Sequence, residues 1–387
     1  MRGFGQLVWI LLLLPGVAGQ VTPTPPRTGQ KVAPPTLSAE DKKKLNDALL
    51  DAVEFDNRSE VQQLLVQGAD PNARDQHGVT ALMKSAEGMD AALARTLIAA
   101  GADVSARDAV GMTALLTAAD DGSPEILRLL LAQHADVSVT DNNGWNVVIL
   151  AADAHRSDLV RILLGARADP LAQDKIGTSA LMIAAAGDDP ETVVTLLNAA
   201  KNADKLAVGR RRPGAPSQLR LMVDAHDLRG WTALHHAAAR GAERTVRQLL
   251  EHSADPNANS TGPTPLLLAA ESGDPGTVEA LLAHHADPNA LSSNGTTPLI
   301  QAADAGNLAA VQLLLEHGAN PNARARDGRT ALMEAAADGR TAIVQMLLEK
   351  GADPNARMTN GASVLARASA RLQNDEVIEL LKRAGAR

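Results

Sequence analysis

The stretch Gly328-Arg-Thr-Ala-Leu-Met-Glu-Ala-Ala-Ala-Asp-Gly-Arg-Thr-Ala-Ile-Val-Gln-Met-Leu-Leu-Glu-Lys-Gly-Ala-Asp-Pro-Asn-Ala356 decides the architecture. Thr330 stands where its hydroxyl can accept from orphan backbone N–H groups and start a helix. The Ala-Ala pair that follows carries little side-chain bulk, so this helix can pack closely against neighbours. After the second Gly, an Ile-Val-x-x-Leu-Leu run recurs at helical spacing and must find something to bury against. Gly351 ends that second helix, and Pro354 soon after prevents its continuing.

Outward from this stretch, glycines recur at 78, 111, 144, 177, 230, 262, 295, 328 and 361, spaced by 33, 33, 33, 53, 32, 33, 33 and 33 residues. Capping Thr stands at 80, 113, 232, 264, 297 and 330, with Asn146 and Ser179 in the other two units. Pro265 and Pro298 fall at first helical positions, where a missing N–H is harmless. Second helices start at Ser123-Pro124-Glu125 and Asp189-Pro190-Glu191, again a cap with Pro behind it. Helix, helix and turn, none able to bury its apolar face alone, stack into a solenoid.

Gly230-Trp-Thr-Ala-Leu-His-His-Ala-Ala238, Gly328 to Ala336 and Gly351-Ala-Asp-Pro-Asn-Ala356 resemble the ankyrin repeat family, over about residues 45–387 apart from one insertion. The resemblance implies a mostly α ankyrin-repeat solenoid: stacked helix–turn–helix units with short hairpin fingers, about eight full repeats and degenerate caps. Solenoid residues 41–387 divide into an N-cap at 45–74, repeats at 75–107, 108–140, 141–173, 174–226, 227–258, 259–291, 292–324 and 325–357, and a C-cap at 358–387. Protein binding on finger tips and concave face is implied, catalysis is not. His134, Arg167, Ser253 and His285 replace the helix-ending Gly, which in the family is left-handed, at a cost of about 1 kcal/mol each. His155 and Asp188 replace the mid-repeat Gly, and Asn146 the capping Thr, so the middle units are expected to be less stable than the last two.

Residues 1–19 read as a secretory signal: Arg2, an apolar run from Leu7 to Leu14, and small residues Val17-Ala18-Gly19 before Gln20. A retained anchor is the competing reading, but Leu7 to Ala18 would span only about 18 Å of a hydrocarbon core about 30 Å thick. Residues 20–40 form a Pro-rich linker. Export points to the bacterial periplasm or exterior, and the mature chain is expected to carry no transmembrane helix. The 53-residue spacing places about 20 extra residues in unit four, at about 199–222, where Lys201, Lys205, Arg210, Arg211, Arg212 and Arg220 stand against Asp204. Clustered cations suit an anionic surface, while a solvated loop that merely tolerates insertion is the plain alternative. The composition of 198–208 lets the outer helix run on before Arg-Arg-Arg-Pro-Gly breaks it.

Composition narrows the chemistry. With 3 Trp, 2 Phe and 0 Tyr, of which Phe4 and Trp9 lie in the leader, base stacking has almost no platform. A net charge of −8 argues against nucleic acid, and 0 Cys leaves no disulfide, thiolate nucleophile or Cys zinc site. His235-His236 and His284-His285 invite a metal, but His252, His284 and His317 share one register and stand about a repeat apart, too far for one zinc. No hydrolase, zinc-protease or phosphate-loop motif occurs, so no cofactor and no enzyme is expected. The resemblance makes His235 an inter-repeat hydrogen bonder, and makes the Asp column at 70, 103, 136, 169, 255, 287 and 353 part of the turns.

Just after the Ala-Ala pair stand Glu87, Asp120, Asp153, Ala186, Ala239, Glu271, Asp304 and Ala337, with Asp121 and Asp338 in the next column. By resemblance both columns face the binding side, where like charges on parallel helices reinforce one another and steer a basic protein partner; ordinary solvated surface is the alternative. Trp145 and Trp231 follow turn glycines on the fingers of units three and five, as interface anchors or as packing against the next finger. The leading expectation is an extracytoplasmic, monomeric, non-catalytic scaffold. The second is an envelope-associated protein that binds anionic surfaces through residues 201–220.

Overall fold

The computed structural model describes residues 37–207, 215–258, 262–370 and 375–387. Its helices come in pairs. The N-terminal pair is α1 (Ala39–Glu54) and α2 (Arg58–Gln67). Units one to four hold α3 (Ala81–Glu87) with α4 (Ala91–Ala99), α5 (Ala114–Asp120) with α6 (Pro124–Ala132), α7 (Val147–Asp153) with α8 (Ser157–Gly165), and α9 (Ala180–Ala186) with α10 (Pro190–Leu206). The insertion contributes α11 (Gln218–Asp224). Units five to eight hold α12 (Ala233–Arg240) with α13 (Glu243–Glu251), α14 (Pro265–Ser272) with α15 (Pro275–Ala283), α16 (Pro298–Ala305) with α17 (Leu308–Glu316), and α18 (Ala331–Ala337) with α19 (Thr341–Glu349). The closing pair is α20 (Val364–Ser369) and α21 (Asp375–Arg383). First helices pack on first helices from α1 to α20, and second on second from α4 to α21, giving two layers. The Ala-Ala pairs at 118–119, 151–152, 269–270 and 302–303 are fully buried between them.

Thr80, Thr113, Asn146, Ser179, Thr264, Thr297 and Thr330 cap their helices through the side chain. Thr232 works in reverse: its N–H donates to Nδ1 of His235 at 3.1 Å. Short hairpins close by bridges such as Thr140 with Asn146 and Gln173 with Ser179. Successive fingers are tied by backbone bonds, Ala109 N–H to the His77 carbonyl (2.9 Å), Asn142 to Val110 (2.9 Å) and Lys175 to Asn143 (3.1 Å). Leu228 N–H continues the series to Ile176 at 3.0 Å, so the insertion is extruded without interrupting the stack.

The Asp column supports the turns: Asp70, Asp103, Asp136, Asp169, Asp255, Asp287 and Asp353 each accept from the N–H two residues on. Two residues after it, Asn72, Asn257, Asn289, Asn322 and Asn355 bridge repeats. Asn289, for example, donates to the Gly318 carbonyl at 3.1 Å and accepts from Asn320 N–H at 2.8 Å. Ser105, Ser138 and Leu171 hold this position in units one to three and carry no carboxamide to make both bonds. His134, Arg167, Ser253 and His285 have left-handed φ of 61° to 67°, and His155 and Asp188 have φ of 55° and 49°. Strain and missing bridges therefore coincide in units two and three, whereas units five and six carry the strain of Ser253 and His285 but keep the Asn257 and Asn289 bridges.

Two features differ from the sequence expectation. The first helix opens at Ala39, upstream of residue 45, because Ser38 accepts from Asp41 N–H and fixes its start. In the insertion α10 does run on to Leu206, and α11 is added: the Asp204 carboxylate accepts from Gln218 N–H (2.7 Å) and Leu219 N–H (3.1 Å), so one helix caps the next.

Candidate functional site

Glu87, Asp120 and Asp153 are the last residues of α3, α5 and α7, three first-layer helices in succession. All three are exposed, as is Asp121. Carboxylates at helix C-termini oppose the macrodipole, so this placement works against folding stability. Partial burial first, and then the charge of Asp153, raise the Asp120 carboxyl above its ordinary value. Asp121 is pushed up to about 6 by partial burial first, then by Asp120 and Glu87. Lys84, the cation beside Glu87, is held by Glu54 at 2.9 Å. The structure thus joins Glu87, Asp120, Asp121 and Asp153 into one electrostatic cluster.

The C-terminal half of the column differs. Ala186 and Ala239 interrupt the stripe. Glu271 and Asp304 are exposed beyond the interruption, and Asp338 is half-buried. Asp304 lies within electrostatic reach of Glu334, a buried carboxylate that sequence reading missed. Glu334 is raised by burial but paired with Arg367 at 3.0 Å and Arg329 at 3.5 Å. Its only sequence signal was Arg367 standing 33 residues on, at the same register.

The two tryptophans are placed inward. Each ring is half-buried against the core, and the finger tips are formed by Asn142, Asn143, Leu228 and Arg229. The Trp231 ring lies over His235 at 6.2 Å, meets His236 edge-on at 5.4 Å, and carries the Arg229 guanidinium 4.5 Å from its centre. Buried Asp227 holds Arg229 at 3.0 Å and stands 3.3 Å from His236. His235 is pushed down to about 4, by burial first, while hydrogen bonding to the Ala258 and Pro263 carbonyls opposes the shift. It is a neutral inter-repeat strut, with Nδ1 accepting from Thr232 and Nε2–H facing the next repeat.

Of the basic residues in the insertion, Arg210, Arg211 and Arg212 lie outside the described residues. Arg220 forms an ion pair with Asp224 on the same helix, so its charge is already answered. Lys201 is half-buried within electrostatic reach of His252, and Lys205 is exposed. Among the described residues no group of three His, Asp or Glu could hold a metal, and no helix is long and apolar enough to cross a membrane.

The sequence model for ankyrin repeats, three copies long, matches residues 49–141, 118–208, 212–292, 268–358 and 326–387. The chain belongs to the ankyrin repeat family. Ankyrin repeats are in general protein–protein interaction modules, and typically scaffolds without catalysis.

The raised Asp121 carboxyl fixes the sign of one effect. Its folded value of about 6 stands above the ordinary 3.8, so the penalty is absent below pH 3.8, grows as the pH rises, and is complete above 6. Asp121→Asn is therefore expected to stabilise the protein at pH 7, by about 1 kcal/mol once solvent screening of an exposed group is discounted. Urea melts at pH 7 and pH 4 check this, the gain vanishing at pH 4; equal melts at pH 7 would show that the cluster carries no strain.

Proposed function

We propose that this chain is an exported, non-catalytic scaffold that binds a basic protein partner on the first-layer face of units one to three. The observation that carries the reading is the cluster of Glu87, Asp120, Asp121 and Asp153, kept together although helix dipoles and mutual repulsion oppose it. Charges that cost stability and face solvent are explained by a partner that neutralises them. Glu271, Asp304 and Asp338 extend the surface more weakly, since Glu334 nearby is already answered by arginines. Export rests on Arg2, the Leu7 to Leu14 run and the small residues at 17–19. Trp145 and Trp231 support the fingers from inside rather than anchor the partner.

The test immobilises the protein, captures binders from a periplasmic or secreted extract, and identifies them by mass spectrometry. Asp120→Lys with Asp153→Lys serves as the control, both sites being exposed. One basic protein held by wild type and lost by the control is the expected result. The same proteins on both, or anionic polymers on both, would overturn the reading.

A further inference from the structure

The second-layer face carries a repeated charge of the opposite sign. The fifth residue of α4, α6, α8 and α13 is Arg95, Arg128, Arg161 and Arg247. In α10 the same position is Val194, and in α15, α17 and α19 it is Glu279, Gln312 and Gln345. Arg95, Arg128 and Arg161 are exposed and make no ion pair among the described residues, while Arg247 is held by Glu243 at 2.8 Å. The carboxylates beside the stripe, Glu125, Asp158 and Glu191, sit in first turns where they offset the helix dipole, and Asp158 is taken by Arg156 at 2.7 Å.

Where valine replaces arginine, a groove opens. Its floor is Pro190, Val194 and Thr195, its walls carry Arg161 on one side and Arg244 and Arg247 on the other, the carboxylates of Glu191 and Glu251 also line it, and its volume is about 640 Å³. That is within the roughly 300–1,000 Å³ usual for binding clefts. Neighbouring helices lie about 8–10 Å apart, and a chain in the polyproline II conformation turns once in three residues while advancing about 3.1 Å per residue. One repeat of the stripe therefore matches one turn of such a chain, which brings every third side chain to the same face. A bound helix, roughly 10 Å across, would ride over the arginines and leave the groove above Val194 empty.

We propose that this face binds an acidic segment of a second protein in the polyproline II conformation, with carboxylates every third residue facing Arg95, Arg128 and Arg161, an aliphatic side chain seated over Val194 and a last carboxylate at the exposed Arg244 of the groove wall. The scaffold then has two faces of opposite charge and can hold a basic and an acidic partner at once.

The probe is a fluorescein-labelled peptide, Asp-Ser-Gly-Asp-Ser-Gly-Asp-Ser-Gly-Leu-Ser-Gly-Asp, and its reverse, titrated with the full chain by anisotropy at low salt. Saturable binding of one of the two is expected, weakened at least tenfold by Arg128→Glu with Arg161→Glu, and severalfold by Val194→Lys or by Ser for Leu in the peptide. No saturable binding up to millimolar protein would overturn the proposal, as would equal binding by the charge-reversed variant. Tighter binding of a peptide with acids seven residues apart would replace the polyproline II chain by an α-helix and overturn the geometry. Vesicles rich in phosphatidylglycerol that bind through the same arginines while the peptide does not would assign the face to a membrane instead. Asp120→Lys with Asp153→Lys lies on the other layer and should leave peptide binding unchanged, so this proposal and the acidic-face reading fail separately.

Discussion

Gly328→Ala is expected to cost about 3 kcal/mol, whereas Gly361→Ala, at the same position one repeat later, is expected to cost about 1 kcal/mol. Both glycines have left-handed φ, +84° and +85°, so both substitutions meet the same backbone penalty, about 1 kcal/mol. The difference lies in the neighbours. A Cβ on Gly328 would stand 2.9 Å from Met358 Cα and 2.9 Å from Thr359 N, backbone of the next finger that cannot rotate away. Nothing lies within 4 Å of the corresponding atom on Gly361. Overpacking of this kind adds about 1–3 kcal/mol, and it strikes the Thr359 N–H bond to the Asp327 carbonyl that ties the two fingers. Chemical melts of the two variants decide the point. Equal losses would mean that finger stacking at this junction contributes little.

The second large effect has the opposite sign. Placing glycine at His134, Arg167, Ser253 and His285 together is expected to stabilise the chain by about 2–4 kcal/mol, since each residue sheds a left-handed penalty and returns part of it as unfolded-state freedom. These sites recur once per repeat, far enough apart for their effects to add. In a linear array each unit rests on its neighbours, so weak units open first. Trp145 and Trp231 lie in units three and five and report on that region, while circular dichroism reports on all the helices. In wild type the fluorescence transition is expected at lower urea than the circular dichroism transition, and in the fourfold variant the two should converge. Coincident transitions in wild type, or no gain in the variant, would contradict a weak middle.

Much of this organisation was legible as periodicity. The 33-residue spacing determined the helix pairs, because each cap, alanine pair and closing glycine is a local signal repeated at one register. The left-handed positions followed from the same alignment, except at Asp56 in the N-terminal pair, with φ of 52°, and at Met89, where Gly88 stands one residue too early and the methionine takes φ of 57°. Helix α11 escaped because it occurs once, is only seven residues long, and is started by Asp204, which lies 14 residues before Gln218.

The candidate site was legible in part for the same reason. Residues at one register on stacked helices must lie side by side, which gave the column of Glu87, Asp120 and Asp153. Which charges are already answered is a matter of side-chain direction, and spacing does not carry it. So Glu334 between Arg329 and Arg367, Arg220 on Asp224, and Trp231 turned onto His235 all emerged only with the structure.

The most direct measurement of the central claim is the affinity of the captured basic partner for wild type and for Asp120→Lys with Asp153→Lys, each at about 50 and 200 mM salt. An electrostatic groove requires wild-type affinity to fall steeply with salt. The double lysine variant should bind at least tenfold more weakly at low salt and show little further loss at high salt. Equal affinity of the two proteins, or a wild-type affinity indifferent to salt, would contradict it.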